Sequence, residues 1–224
     1  MSQDIPYDDQ AWQKYVSVQE LSNDYHFLGW SGTGGSWRQR NLDTIVQYIT
    51  LLYDLLKEPV TVLDVACFTG EYCGKLLEIK NIQHKFKYVG CDVTKNYIDY
   101  ATNKYKNHDH VGFMTCNAKN LPFNDNSFDI VFNSGMLIHM DDVEPCIKEF
   151  ARVSKNMILI ETTIDNTQAT YRAHRFTTDL FLSYTYKSQY IENIIKKFML
   201  VVDINIAPYV AGNSYLFINK KHSI

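Results

Sequence analysis

Acidic, amide and small residues follow several short apolar runs of this sequence, at the points where predicted strands end. The first run, Val60 to Ala66, leads into Cys67-Phe68-Thr69-Gly70, where small residues let the backbone turn tightly and let a ligand come close. The second run ends in Asp92, about twenty residues beyond that turn, where a carboxylate can accept hydrogen bonds from both hydroxyls of a ribose. A lone aspartate in such a place is more often a helix cap, so Asp92 by itself indicates no ligand.

The third and fourth apolar runs end in amide side chains. Asn117 and Ala118 follow the third run, and an amide there can donate to a ring nitrogen of adenine while it accepts from the exocyclic amine. Asn133 and Ser134 close the fourth run. None of these residues is specific by itself. Four strand ends in order, each with a fitting chemical type, predict one ligand lying across the edge of a sheet.

The elements that must position these residues follow from apolar runs that alternate with helical periodicity. Five strands are predicted, at Val60–Ala66, Phe86–Cys91, Val111–Cys116, Phe128–Phe132 and Met157–Thr162. Helices are predicted between them, at Gly70–Ile79, Thr94–Tyr105 and Asp141–Val153. This alternation is typical of a parallel sheet with helices on both faces. Beyond a helix at Lys187–Lys197, strands at Met199–Ile206 and Tyr215–Asn219 predict an antiparallel hairpin at the edge of that sheet.

The predicted fold class is therefore α/β, a doubly wound, mostly parallel, seven-stranded Rossmann-like sheet with a C-terminal antiparallel hairpin. Residues 59–224 would form this ligand-binding domain. Residues 1–58 would form an N-terminal region of helices and one loop. Its clearer helix is Asn41–Lys57, with Asn41 as the N-cap and apolar residues at helical spacing.

The loop of that N-terminal region, Leu28 to Trp37, combines glycines and serines with the tryptophans Trp30 and Trp37. Glycine-rich backbone gives the loop mobility, and the large rings give it something to bury. The combination favours a lid or a substrate-facing segment. A surface loop that its tryptophans pin to the core explains the pattern equally well.

Composition sets further limits on the function. The chain has 224 residues and a formal charge of 22 − 25 = −3, without the basic surplus that a nucleic-acid partner usually requires. Its five cysteines form no C-x-x-C pair, which favours reduced cytosolic thiols over a metal site. The sequence has a polar, acidic start and no apolar run near the ~18 residues of a membrane span. We expect a cytoplasmic protein with a small-molecule substrate, no membrane partner and no metal; the sequence leaves the oligomeric state open.

Three stretches of the chain carry a resemblance to a known family. They read VLDVACFTGEY, YVGCDVTKNYIDYA and CNAKNLPFNDNSFDIVFNSGMLIHM. Together with the helix that follows, they resemble the class I S-adenosylmethionine-dependent methyltransferases, in the broad small-molecule group of ubiquinone, menaquinone and sugar methyltransferases. The resemblance spans roughly residues 60–163 and implies S-adenosylmethionine as the cofactor.

The resemblance also implies which residues contact that cofactor. The loop after the first strand would lie along its methionine part, Asp92 would hold the ribose, Asn117 and Ala118 would flank the adenine, and Asn133 would lie near the sulfonium. Two departures stand out, because Ala66 and Phe68 replace family glycines and Asn117 replaces the usual aspartate. The full set is Asp64, Ala66, Cys67, Phe68, Gly70, Asp92, Val93, Asn117, Ala118, Asn133 and Ser134.

Methyl transfer from a sulfonium needs the nucleophile and the methyl group held in line and dry, and a proton-bearing nucleophile can also need a base. The candidate bases are His139, after the fourth strand, and His174, between Arg172 and Arg175. A packed or helix-capping role is the more common explanation for His139, and a solvated basic helix face is the more common one for His174.

The remaining predictions concern the substrate. Four residues are candidates to bind it, the arginines through bidentate contacts to a carboxylate or phosphate: Trp37, Arg38, Arg172 and Arg175, with Arg40 as a further possibility. We expect a methyltransferase acting on the oxygen or nitrogen of a small polar metabolite, such as a sugar, a nucleotide-linked compound or a natural-product intermediate. The alternative is a non-catalytic relative that binds the cofactor and acts through a protein partner, which bulky Phe68 and the lack of an unmistakable base would fit.

Overall fold

The computed structural model describes residues 37–162, 171–176, 179–198 and 213–218, with side chains for 38–162 and 184–198. The elements in chain order are α1 (Trp37–Leu56), β1 (Val60–Val65), α2 (Glu71–Glu78), β2 (Phe86–Asp92), α3 (Lys95–Lys104), β3 (Val111–Thr115), β4 (Phe128–Ser134), α4 (Glu144–Val153), β5 (Ser154–Thr162), β6 (Tyr171–Phe176), β7 (Asp179–Tyr184), α5 (Ser188–Phe198) and β8 (Asn213–Ile218). Short 3-10 turns lie at Gln83–Lys85 and Leu137–His139.

Six of the strands form one sheet in the order β3-β2-β1-β4-β5-β8. The first five are parallel, and β8 pairs antiparallel with β5. The chain leaves β1 toward β2 on one side and later returns to β4 on the other side, so the strand order reverses between β1 and β4. In open α/β sheets this reversal opens a crevice at the carboxyl ends of the strands, where ligands bind.

The two faces of the sheet are buried by different helices. Side chains of β1 alternate between the faces, as strand geometry requires. Val60 and Val62 pack with Ile45 and Ile49 of α1 and with parts of α2 and α3. The opposite face packs against α4 and α5, through Leu63, Val65, Ile147, Phe150, Ile191 and Ile195. Parallel strands buried on both faces read as continuous apolar runs, which explains why the sequence pattern located them.

The predicted parallel α/β sheet is confirmed, with small shifts in the element bounds. β5 begins at Ser154, three residues before its predicted start, and α4 begins at Glu144, with Pro145 in its first turn. The predicted strand Met199–Ile206 lies outside the described residues, so the seventh strand and the C-terminal hairpin stay predictions. The predicted final strand corresponds to β8, at the antiparallel edge.

One local prediction is wrong, and one alternative explanation is excluded. Asn41 is no N-cap, because α1 begins at Trp37 and continues through it; its side chain is 2% exposed and donates to Ser134 Oγ at 3.3 Å, a tertiary contact that overrides the capping preference. The basic stretch around Arg172 and Arg175 is no helix face. It forms β6, which pairs antiparallel with β7 across residues 177–178 in a separate two-stranded sheet. Aromatic residues and the short connection favour such a hairpin.

Candidate functional site

The loop after β1 has the backbone conformation that glycine usually supplies. Ala66, Phe68 and Gly70 have φ angles of 60°, 54° and 75°. Backbone hydrogen bonds hold the loop: Cys67 N donates to Cys91 O at 3.0 Å, and Gly70 N donates to Cys67 O at 2.9 Å. Left-handed backbone is unfavourable by about 1–2 kcal/mol at a residue that carries a Cβ. Ala66 and Phe68 stand where the family pattern has glycines. They therefore adopt the left-handed backbone of a glycine loop and lower the stability of the fold by doing so.

The ring of Phe68 packs against α3. Its centroid lies 4.0 Å from that of Tyr97, with the two planes at 60°. The backbone N–H of Phe68 donates to Asp92 Oδ2 at 3.1 Å. The bulky residue thus fastens the loop after β1 to the carboxylate at the end of β2 and to the following helix.

Asp92 ends β2 and is only 7% exposed. Its Oδ1 accepts a hydrogen bond from Thr94 N at 2.9 Å, so the carboxylate joins the loop after β1 to the start of α3. Burial raises the pKa of this carboxyl, while the backbone N–H groups of Thr94 and Phe68 oppose that rise. Each carboxylate oxygen has a second lone pair, which leaves acceptor capacity for the predicted ribose hydroxyls. Val93 follows, half-buried.

Asn117 and Ala118 stand in the turn after β3. Asn117 is exposed, and its Oδ1 accepts a hydrogen bond from Lys119 N at 2.9 Å, the pattern of an Asx turn. Ala118 is half-buried against the core. Asn117 therefore shapes the turn, and its predicted contact with adenine stays a prediction.

Asn133 and Ser134 end β4 beside β1. Asn133 is fully buried, and its Nδ2 donates to Val65 O at 2.7 Å across the point where strand order reverses. Its Oδ1 has no hydrogen-bond partner within the described ranges. Ser134 Oγ lies 3.0 Å from Tyr72 Oη. A buried acceptor without a partner, at the predicted place of the sulfonium and its amino-acid tail, fits a ligand that brings a donor.

Asp64 lies within β1 and faces the side of the sheet that α2 covers. It is 2% exposed, and its Oδ2 accepts a hydrogen bond from Tyr88 Oη. Burial raises the pKa of Asp64, the Tyr88 hydrogen bond lowers it, and the negative charges of Asp92 and Glu71 raise it further. The described partner of Asp64 is thus Tyr88 on β2, and its predicted contact with the cofactor stays a prediction.

The other predicted residues are placed differently. His139 ends the 3-10 turn after β4 and is half-buried, and its backbone N–H donates to Met136 O at 2.9 Å. Arg38, on the first turn of α1, forms an ion pair with Glu71 Oε2 at 2.5 Å. Four further side chains lie outside the described ones: those of Trp37, Arg172, His174 and Arg175. The Trp30 part of the predicted lid also lies outside the described residues.

One buried acid at a strand end was missed by the sequence analysis. Glu161 lies near the end of β5 and is 7% exposed, next to Ser134 in the strand register. Burial raises its pKa to about 7, against the opposing effects of the Arg38 charge and the Ser134 hydroxyl. The rule applied to the other strands, that residues ending a parallel strand face the ligand, would have included it.

The sequence of the central region matches a known domain. Residues 63–157 match the family described as a methyltransferase domain, which confirms the resemblance drawn from the motifs. A demethylmenaquinone methyltransferase of Bacillus licheniformis is 33% identical over 106 residues, 46% of this chain and 45% of that enzyme. A norajmaline N-methyltransferase of Rauvolfia serpentina is 28% identical over 118 residues, 51% of this chain and 39% of that enzyme. The chain thus spans less than half the length of these relatives.

The fold is shared more widely than the sequence. The crystal structure of a magnesium protoporphyrin IX methyltransferase from Synechocystis, with bound S-adenosylmethionine, matches with a TM-score of 0.66 at 14% identity. The match covers 96% of this chain and 99% of that one. Among the residues that the model describes, no helix combines the length and apolar character needed to cross a bilayer.

Proposed function

We propose that this chain, whose residues 63–157 match a methyltransferase domain, uses S-adenosylmethionine to methylate an oxygen or nitrogen of a small polar metabolite. One observation carries the proposal. The left-handed loop Ala66–Gly70, the Asp92 carboxylate and the Asn133 amide meet at the edge where strand order reverses, and one hydrogen bond, Phe68 N to Asp92 Oδ2, joins the loop to the acid.

The residues present fit this cofactor. Asp92 would accept hydrogen bonds from the ribose, and the loop after β1 would lie along the methionine part. Asn133 Oδ1, a buried acceptor without a partner in the described part of the chain, would receive a donor near the reacting end. Bound S-adenosylmethionine supplies a methyl group activated by a sulfonium. The protein's part is then to position the acceptor in line, to exclude water and to take up a proton where the acceptor carries one.

The acceptor class rests on the relatives and on the charges of the site. One relative is named as an N-methyltransferase and another as a demethylmenaquinone methyltransferase, both names of small-molecule enzymes. Arg38, predicted to bind a substrate anion, is already paired with Glu71. The described part of the site therefore favours an uncharged or cationic acceptor over a carboxylate or phosphate.

Calorimetry with S-adenosylmethionine and S-adenosylhomocysteine tests the cofactor. We expect both to bind, and no heat at millimolar ligand would reject the proposal. Formation of S-adenosylhomocysteine in the presence of small amines, phenols and sugars then tests transfer. Binding without transfer to any panel member would favour the alternative, a cofactor-binding relative that acts through a protein partner.

A further inference from the structure

Glu161 is a buried acid with an unused oxygen. Its side chain is 7% exposed, and its Oε2 has no hydrogen-bond partner among the residues that the structure describes. It is the register partner of Ser134 on β4, so both side chains project from the same face of the sheet at the carboxyl ends of adjacent strands. An unpaired buried carboxylate is strongly unfavourable unless something compensates its charge.

The neighbouring cation is shared with a second acid. Arg38 lowers the pKa of Glu161 through its positive charge, but its Nη1 also binds Glu71 Oε2 at 2.5 Å. Beside Glu161 in the described part of the chain, Ser134 Oγ lies 3.0 Å from Tyr72 Oη and accepts a hydrogen bond from Asn41 Nδ2. Arg38, on α1, lowers the pKa of Asp64 as well as that of Glu161, so its positive charge is shared among several acids of the described region.

The compensating group is therefore expected from a ligand. An ammonium group brings a positive charge and three donors, which meet both the charge and the open lone pairs of a carboxylate. A hydroxyl brings one donor and no charge, so it would leave the buried charge uncompensated. The raised pKa of Glu161, about 7, agrees with a carboxyl that is incompletely compensated in the free protein.

We propose that Glu161 binds the ammonium group of a ligand at the carboxyl ends of β4 and β5, an inference that rests on the proposed function for the ligand's identity. Two sources carry this chemistry: the amino-acid part of the cofactor, or an amine of the methyl acceptor. Either way, Glu161 is a ligand-binding residue of the site, and the Ser134 hydroxyl beside it shares the same edge.

The test is a carbon-13 NMR titration of the Glu161 carboxyl, assigned by the signal that Glu161→Gln removes. It is measured in the free protein and with S-adenosylhomocysteine, with 5′-methylthioadenosine, and with 5′-methylthioadenosine plus methylammonium. An ammonium group within contact distance should lower the pKa of Glu161 by about 1–3 units. A fall with S-adenosylhomocysteine but not with 5′-methylthioadenosine assigns the site to the cofactor. A fall only when methylammonium is added assigns it to the acceptor.

An unchanged pKa in all four states would overturn the proposal, as would a fall that methanol produces as strongly as methylammonium. Binding of the two nucleosides to wild type by calorimetry separates this outcome from failure of the proposed function. If neither nucleoside binds, the proposed function fails. The pKa of Glu161 is then measured with methylammonium added to the free protein, where a fall supports the ammonium site and an unchanged pKa overturns it. Glu78→Gln, at an exposed acid paired with Lys75, is the matched control and should leave the Glu161 titration unchanged.

Discussion

The carboxylate of Asp92 is bound on both oxygens before any ligand arrives. Phe68 N donates to one oxygen and Thr94 N to the other. These bonds fix the carboxylate against rotation, so its remaining lone pairs point in set directions. A residue that holds its own loop in place and also binds ligand should lose affinity and stability together when it is changed.

We expect Asp92→Asn to weaken S-adenosylhomocysteine binding by about 1–3 kcal/mol, because the buried ribose hydroxyls would lose a charged acceptor. Calorimetry measures the affinity, and urea unfolding reports the accompanying loss of stability. Asp129→Asn is the control. Asp129 is 5% exposed and accepts a hydrogen bond from Thr61 N, near the opposite end of the same sheet. Its loss should reduce stability and leave affinity intact; unchanged affinity in Asp92→Asn would remove Asp92 from the ligand site.

Gly70 has no room for a side chain. It has φ 75°, and an added Cβ would lie 2.8 Å from Tyr105 Cε2 and 2.9 Å from Phe113 Cζ. Gly70→Ala should therefore lower the free energy of unfolding by about 1–3 kcal/mol. Gly112→Ala, where a Cβ would meet nothing within 4 Å, should be neutral or stabilising by about 0.4–1 kcal/mol. Equal effects of the two substitutions in urea unfolding would contradict this difference.

At the scale of the elements, one arginine joins α4 to the loop between β3 and β4. Arg152 Nη2 donates to Leu121 O at 2.9 Å, and its Nη1 donates to Phe123 O at 2.7 Å. Glu149, one turn earlier on α4, pairs with Arg152 and accepts a hydrogen bond from Leu121 N at 2.8 Å. The loop that carries Asn117 is thereby fixed to the helix that packs beneath the sheet.

We expect Arg152→Ala to lower the free energy of unfolding by about 1.5–3 kcal/mol at neutral pH, and Arg152→Lys to recover little, because an ammonium cannot reproduce the planar fork. The Arg152 hydrogen bond lowers the pKa of Glu149 below its usual 4.5. The stability this gives is present above that value and is lost as pH falls through the folded pKa. Urea unfolding should therefore show wild type and Arg152→Ala converging in acid. A gap that stays constant with pH would contradict the pair's role.

The sequence predicted those elements whose pattern is local. Continuous apolar runs predicted β1, β2, β3, β4 and β5, and Asp92 and Asn133 lie at the ends of two of these strands as predicted. Asn41 failed as a cap because its partner, Ser134, is far away in the chain. Glu161 lies near the end of the apolar run that predicts β5, so its position could be predicted, whereas its burial and its register with Ser134 could only be seen in the folded chain. The sequence shows that Ala66 and Phe68 stand where the family has glycines. Their left-handed backbone could only be seen in the folded chain.

At the scale of the whole molecule, buried acids make stability depend on pH. Burial raises the pKa values of Asp64, Asp92 and Glu161, so the folded chain holds protons that the unfolded chain releases. Glu161 has a pKa of about 7 in the folded chain and an ordinary value of 4.5. The contribution of its proton uptake to the free energy of unfolding is therefore complete below pH 4.5 and is lost as pH rises through 7. Arg38 and Tyr72 are the ionisable groups that face it from α1 and α2.

We expect the free energy of unfolding of wild type to fall relative to that of Glu161→Gln between pH 4.5 and 7, by up to about 3 kcal/mol. Urea unfolding of both proteins across this range measures the difference, in which the contributions of Asp64 and Asp92 cancel. A difference that is flat with pH would show that Glu161 is charged in the folded protein from the start of the range.

The β6–β7 hairpin forms its own two-stranded sheet, and β7 lies beside the turn Leu137–His139 that follows β4. Among the described strands, neither β6 nor β7 pairs with a strand of the six-stranded sheet. Substitutions on the β6–β7 ladder would therefore leave the hydrogen bonds of the six-stranded sheet intact, and they would reach the region after β4 only through the contact with Leu137–His139.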